Sequence, residues 1–257
     1  MDTENKYRTY DIQCYYIPIL EMIDTICRNN NINYTISDGT LIGAVRHGGF
    51  IPWDDDIDIS FDRKNFNKFI DAFKREALPD YTIVHDMWVY RVSRKDNPGL
   101  LKTFPEGCID LLIFDNAPDN IFFNTIKNLV IKLLHGMLKN EVKYEGFSPL
   151  HKLLLFITHF LGLLFDRRTL QNCYDKVAQW GNKKTTQYLG RYYCSYRYIS
   201  NIRYEKSMLD EYIDMTFETQ KCMSVKNWDY FLKTDFGNYM ELPPEEKRTP
   251  IHKRKDG

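Results

Sequence analysis

Two hydrophobic periods alternate along the chain, and the switches between them lay out its elements. Residues 11–28 place Tyr15, Ile19, Met22, Ile23 and Ile26 at helical spacing. Pro18 is expected to end or kink an early turn, so the helix should run mainly from there to Cys27. Asn29, Asn30 and Asn31 close it, because Asn accepts the left-handed conformation at helix ends. INYTIS at 32–37 reads as a short strand, DGT at 38–40 as a turn, and LIGAVRH as a helix. A loop over 48–55, with Gly48, Gly49 and Pro52, feeds a strand in which Ile57, Ile59 and Phe61 alternate with Asp56, Asp58 and Ser60. The spacing of Phe66, Phe69, Ile70 and Phe73 predicts a helix over 64–77, which Pro79 stops. YTIV at 81–84 and WVYRVS at 88–93 read as a strand pair, and CIDLLIF at 108–114 as another strand. The order α-β-α-β-α-β-β-β describes an α/β domain around a mixed sheet.

The pattern changes after residue 119. Phe122, Ile126, Leu129, Val130, Leu133, Leu134 and Met137 make an apolar helix face. LLLFITHFLGLLF at 153–165 is apolar nearly all round, but a bilayer-spanning helix needs about 20 apolar residues. It is either a core helix hairpin or a segment lying on a membrane surface, and the core reading is favoured. The last third reads as helical, with a Tyr-rich stretch, GRYYCSYRYIS, that has room for a strand.

Composition narrows the class. Lys plus Arg and Asp plus Glu are equal at 35 each, so nothing marks the chain as a nucleic-acid binder. The 18 Tyr and 16 Phe suit sugar or base stacking, but a large core accounts for them equally well. Six scattered cysteines form no C-x-x-C pair and suggest no zinc site. The polar start, MDTENKYRTYDIQCYY, lacks the apolar stretch of a secretory signal, so reduced thiols in the cytoplasm are expected.

Charge balance makes FIPWDDDIDIS at 50–60 stand out. Asp54, Asp55, Asp56 and Asp58 repel one another, each close pair by about 1 kcal/mol or more. A calcium loop of the EF-hand type is excluded, because the sixth position from Asp54 is Ile59 rather than Gly. Asp54 and Asp55 suit turn or cap roles. Asp56 and Asp58, one residue apart on a strand, project to one face with Cα atoms roughly 7 Å apart. Two such carboxylates can converge on a divalent cation, and Mg²⁺, which takes a few carboxylates plus phosphate oxygens and water, suits a phosphate-transfer site. Asp110, inside CIDLLIF, is the natural third acid, with Asp115 as runner-up. Gly39 in the Asp38-Gly39-Thr40 turn allows close backbone approach where a helix N-terminus favours a phosphate. Together these reproduce the pattern of the nucleotidyltransferase fold.

DGTLIGAVRHGGFIPWDDDIDIS closely resembles the signature of the LicD family, whose relatives include the fukutin proteins. The resemblance extends to CIDLLIFD and to FETQKCMSVKNWDYFLKTDFGNYMELPPEEKR at 217–248, and it is weakest over 119–200. It implies an α/β, nucleotidyltransferase-like mixed sheet flanked by helices. Residues 1–118 would be the catalytic core, 119–170 a helical insertion, and 171–257 a helical C-terminal part completing the site. It also implies a metal-dependent transferase that moves phosphocholine, or a similar phosphorylated alcohol, from a CDP-linked donor to a sugar or glycolipid acceptor. Asp56, Asp58 and Asp110 would then hold Mg²⁺ or Mn²⁺, with Asp110 also placed to accept the acceptor hydroxyl's proton. Gly39 and Thr40 would meet the donor phosphates, and Arg46 and His47 would hold phosphate or the transferred group. Trp53 is assigned to packing, and Arg248 and His252 to the tail. A lipid-linked acceptor would bring a cytoplasmic enzyme to the inner face of the membrane. A nucleotidyltransferase that releases pyrophosphate and a catalytically silent glycan-binding relative are the alternatives.

Overall fold

The computed structural model describes residues 9–97, 107–139, 142, 148–194, 199 and 202–250. In chain order the elements are α1 (Tyr10–Asn29), β1 (Thr35–Ile36), α2 (Asp38–His47), β2 (Ile57–Asp62), α3 (Arg63–Glu76), β3 (Tyr81–Asp86), β4 (Val89–Arg94) and β5 (Cys108–Ala117). There follow α4 (Ile121–Met137), α5 (Pro149–Gly162), α6 (Arg167–Ala178), β6 (Tyr188–Arg191), β7 (Tyr204–Glu205), β8 (Tyr212–Phe217), β9 (Gln220–Val225) and α7 (Trp228–Phe236). The chain divides into two units, one made of 1–84, 90–113 and 207–257, the other of 85–89 and 114–206.

The first unit is built on strands in the order β1-β2-β5-β4-β3. The alternation read from the sequence holds in β2, where Ile57, Ile59 and Phe61 are buried. Asp62 caps α3 by accepting from the Asn65 amide at 2.7 Å, and Phe66, Phe69 and Phe73 turn inward from that helix. Helix α1 begins well before Pro18, at Tyr10, and carries the proline inside it. Tertiary bonds offset the cost of that proline. Thr9 Oγ1 donates to the Pro52 carbonyl, and Gln13 Nε2 to the carbonyls of Ile51 and Asp54. Tyr16 Oη donates to the carbonyl of Asp55. Asn31 takes φ 51°, the left-handed stop expected for α1. The hairpin β8–β9 lies against β1, where the Val225 amide donates to Thr35 Oγ1 at 3.1 Å. The C-terminal part therefore carries strands as well as the helices α6 and α7.

In the second unit the end of β5 pairs antiparallel with β6, with Phe114 opposite Arg191 and Ala117 opposite Tyr188. Helices α4 and α5 approach closely: a Cβ on Gly136 would meet Thr158 Oγ1 at 2.3 Å, and one on Gly162 the Met137 carbonyl at 2.1 Å. The core reading of 153–165 is overturned. Leu153, Phe156 and Phe160 are exposed, and Gly162 is the one buried residue of α5. Helix α4 is likewise turned with its apolar side out. It buries Asn124, Lys127, Asn128, Ile131, Leu134 and His135 while Phe122, Leu129 and Leu133 face solvent. The clearest gain on the inner face is that of Lys127. The Lys127 ammonium, fully buried, donates to the carbonyls of Asn116 and Trp180, both at 2.9 Å, and lies 4.0 Å from the Tyr192 ring centroid.

His135 is buried against Trp88, ring centroids 3.5 Å apart, and burial pushes its pKa down to about 3. The unfolded chain takes up the proton near pH 6.5 and the folded chain only near 3, so stability falls as pH drops through that window. The slope per proton is about 1.4 kcal/mol per pH unit at most. Urea titrations from pH 7 to pH 4 should show this loss, and His135→Phe should flatten it. An unchanged slope in the variant would remove His135 as the cause.

Candidate active site

The candidate site gathers at the N-terminus of α2, all of it within the first unit. Ser37 precedes the helix in an extended conformation, and Asp38 follows at φ 48°, a left-handed geometry uncommon outside Gly and Asn. Two bonds lash this turn to β2 through the backbone of Asp58. The Ser37 amide donates to the Asp58 carbonyl at 3.0 Å, and the Asp58 amide donates to Thr40 Oγ1 at 2.9 Å. Ser60 and Ser37 hydroxyls are bonded at 2.9 Å beneath them. The Gly-Thr turn and the aspartate strand are thus one rigid construction, with the Asp58 side chain left to project from it.

Asp54, read from sequence as a turn residue, belongs to the site itself. A Cβ on Gly39 would lie 2.5 Å from Asp54 Oδ2, so only glycine allows that carboxyl to rest on the helix turn. Burial pushes the Asp54 pKa well up, followed by the neighbouring charge of Asp56, a hydrogen bond to the Asp56 carboxylate, and the charge of Asp55. A carboxyl raised first by burial and then by its acidic neighbours stands in a site whose acids crowd one another. Asp55 is fully buried, and its carbonyl accepts from Tyr16 Oη at 3.0 Å.

Asp110 lies on β5, the strand bonded to β2, directly opposite Arg91 of β4. Arg91 Nε, in a buried side chain, donates to Asp110 Oδ1 at 2.9 Å, which sets the orientation of that half-buried carboxylate. Among the described residues no three His, Cys, Asp or Glu side chains group as they would around an ion, so Asp56, Asp58 and Asp110 are not gathered into a closed cage. Asp115 is spent elsewhere, in the second unit, where it accepts from Asn182 Nδ2.

Cationic groups stand at the other end of α2. Arg46 Nη1 donates to the carbonyls of Tyr239 at 2.8 Å and Glu241 at 3.4 Å, and Arg46 Nε to His47 Nε2 at 3.0 Å. Burial, followed by the nearby charge of Arg248, pulls the Arg46 pKa down against the opposing pull of Asp54. His47 is lowered by burial and then by Arg46, so its imidazole is neutral at pH 7 and serves as acceptor. Arg248 Nε donates to the Pro243 carbonyl, with its guanidinium 5.5 Å from the centroid of Trp53. Trp53 meets the His47 ring edge-on and the Arg248 guanidinium, and Arg248 is drawn to this cluster rather than left in a solvated tail. His252 lies outside the described residues. A guanidinium whose charge is felt by Arg46 makes this end of the helix suited to an anion.

Residues 31–155 match the family model described as LicD/FKTN/FKRP, nucleotidyltransferase domain. This stretch is a LicD-family domain. The whole chain is also similar to the lipopolysaccharide cholinephosphotransferase LicD of Haemophilus influenzae, 26% identical over 260 residues that cover 93% of this chain and 94% of the relative. An uncharacterized protein of Rickettsia typhi is 33% identical over 127 residues, which span 48% of this chain and 33% of that protein.

The LicD domain's acids suit a hard divalent cation. The donors are all carboxylate oxygens, and the repulsion of Asp54 by Asp56 and Asp55 would be relieved by such a cation. Mg²⁺ is usually held by one or two carboxylates and completed by phosphate oxygens and water, so Asp56 and Asp58 are the residues that would hold it without a preformed cage. Sequence reasoning missed Asp54, Arg91 and Glu218. Glu218, at φ 53°, accepts from the Phe50 amide at 2.7 Å and donates its own amide to the Gly48 carbonyl at 2.9 Å, clamping the loop that carries the aspartates. The Phe-Glu pair within the C-terminal block was the available signal.

Proposed function

We propose that this LicD-family chain is a phosphotransferase. It would move a phosphorylated alcohol, phosphocholine or a close relative, from a CDP-linked donor to a lipopolysaccharide or other cell-surface sugar at the cytoplasmic face of the membrane. The end-to-end similarity to the Haemophilus cholinephosphotransferase carries this reading. The acids and arginines at the two ends of α2 are consistent with it.

Asp56 and Asp58 would hold Mg²⁺ or Mn²⁺, which neutralises the donor's diphosphate and stabilises the departing CMP. The chain's own residues do the positioning. The first turn of α2, at Gly39 and Thr40, offers helix N-terminal amides to phosphate oxygens. Arg46 and Arg248 supply charge to the same anion, and neutral His47 keeps Arg46 aimed. Asp110, oriented by Arg91, is the group to take the proton of the attacking hydroxyl.

Thermal unfolding with CDP-choline, CDP-ribitol and CDP-glycerol, each with and without Mg²⁺, tests the donor class. A ligand that binds only the folded state raises its midpoint, by about 2.7 kcal/mol at a hundredfold excess over Kd. Protection by one CDP-linked alcohol with release of CMP is expected, whereas release of pyrophosphate would replace this reading with nucleotidyl transfer. Arg248→Ala should raise the donor KM about tenfold with little change in kcat, the loss of one charge-assisted contact. An unchanged KM would return Arg248 to a structural role.

A further inference from the structure

We propose that the outer face of α4 and α5 docks on anionic phospholipid. The proposal rests on the burial and charge of the second unit alone and stands apart from the transferase reading. Phe122, Leu129 and Leu133 on α4 and Leu153, Phe156 and Phe160 on α5 are exposed, while polar side chains of α4 fill the interior. That arrangement wastes apolar surface in water and is the one expected of helices that lie in a bilayer interface. Gly136 against Thr158 and Gly162 against Met137 hold the pair tightly together, so the face is presented as a unit.

Length and shape favour lying on a surface over crossing it: α5 and α6 reach a span's length only as a pair bent by 117°. No single helix among the described residues is long and apolar enough to cross a membrane, and the 14 residues of α5 reach only about 21 Å. Charge then selects the occupant. Neither 121–139 nor 148–165 contains an Asp or Glu; the acids of the connection, Glu141 and Glu145, lie outside the described residues. Lys132, Lys139 and His151 line a small cleft of about 70 Å³ between the two helices, beside Leu154 and Leu155. Exposed Lys152 stands on α5 itself. A basic cleft set into an apolar face fits a phosphate headgroup with its acyl chains alongside. Among the described residues of 121–139 and 148–165, a second copy of this face would bring lysines against lysines with no carboxylate to pair them.

Cosedimentation of the full chain with vesicles provides the test. Wild type should pellet with phosphatidylcholine vesicles containing phosphatidylglycerol, and far less with phosphatidylcholine alone or at high salt. The double variant Phe156→Asp/Phe160→Asp should weaken binding about tenfold or more. Lys132→Glu/Lys152→Glu should cost about fivefold or more per lysine on anionic vesicles only. Because Phe156 and Phe160 are exposed, the urea midpoint of their double variant should match wild type, confirming that it is folded. Three results would overturn the proposal. One is wild type that stays in the supernatant, and another is a folded phenylalanine variant that binds as wild type does. The third is a wild-type dimer by light scattering that the same variant converts to monomer.

Discussion

Asp58→Asn should abolish transfer, lowering kcat by about 10² to 10³-fold or more, while the protein stays folded. The magnitude is that of removing one electrostatic partner from a desolvated reaction centre. The fold survives because the structural work at this position belongs to the backbone. The Asp58 amide and carbonyl hold Thr40 and Ser37 whatever the side chain is. Replacing one carboxylate of a crowded set with an amide also removes repulsion, so the metal-free thermal midpoint should hold or rise. Mg²⁺ titrated by calorimetry should bind the variant weakly or not at all. Normal turnover in a folded variant would dismiss the aspartate strand as the reacting centre.

Lys127→Met carries the largest expected cost in stability, about 2–4 kcal/mol. The substitution nearly preserves the volume of the side chain but removes an ammonium that donates to two buried carbonyls. A hydrogen bond to a charged group contributes about 1.5–3 kcal/mol, and the orphaned carbonyls add their own penalty. The contact with the Tyr192 ring is lost as well. Urea denaturation should show the midpoint falling, with the slope kept if the native state remains compact. An unchanged midpoint would mean that the buried lysine is incidental to the orientation of α4.

How far the site was legible follows from the range of each interaction. Asp56 and Asp58 could be read locally, because alternation on a strand is a pattern a few residues long, whereas Asp38, Gly39 and Thr40, read as a turn ahead of the helix, form its first turn. Asp110 could be picked out as an acid within an apolar strand, but its pairing with Arg91 depends on the register of β4 against β5. Asp54 reads locally as a turn residue, since nothing adjacent in sequence shows that Gly39 leaves space for its carboxyl. Arg248 and Glu218, each remote in sequence from the residues it meets around α2, carry no local signal beyond the block that contains them.

Apolar periodicity placed α4 and α5, for the same short-range reason that it placed β2 and α3. It also pointed them the wrong way. A sequence pattern records which side chains share a face, and burial then goes to whichever face finds partners for its polar groups. Lys127 finds its carbonyl partners in the interior and His135 stacks there on Trp88, so the apolar stripe is left outside. The chain's own order of residues thus determined the strand of aspartates and the helices around it. Tertiary structure alone decided which arginine holds Asp110, where Asp54 rests and which face of α4 meets solvent. Each of those depends on groups brought together from distant positions, where the desolvation of a charge outweighs local preference.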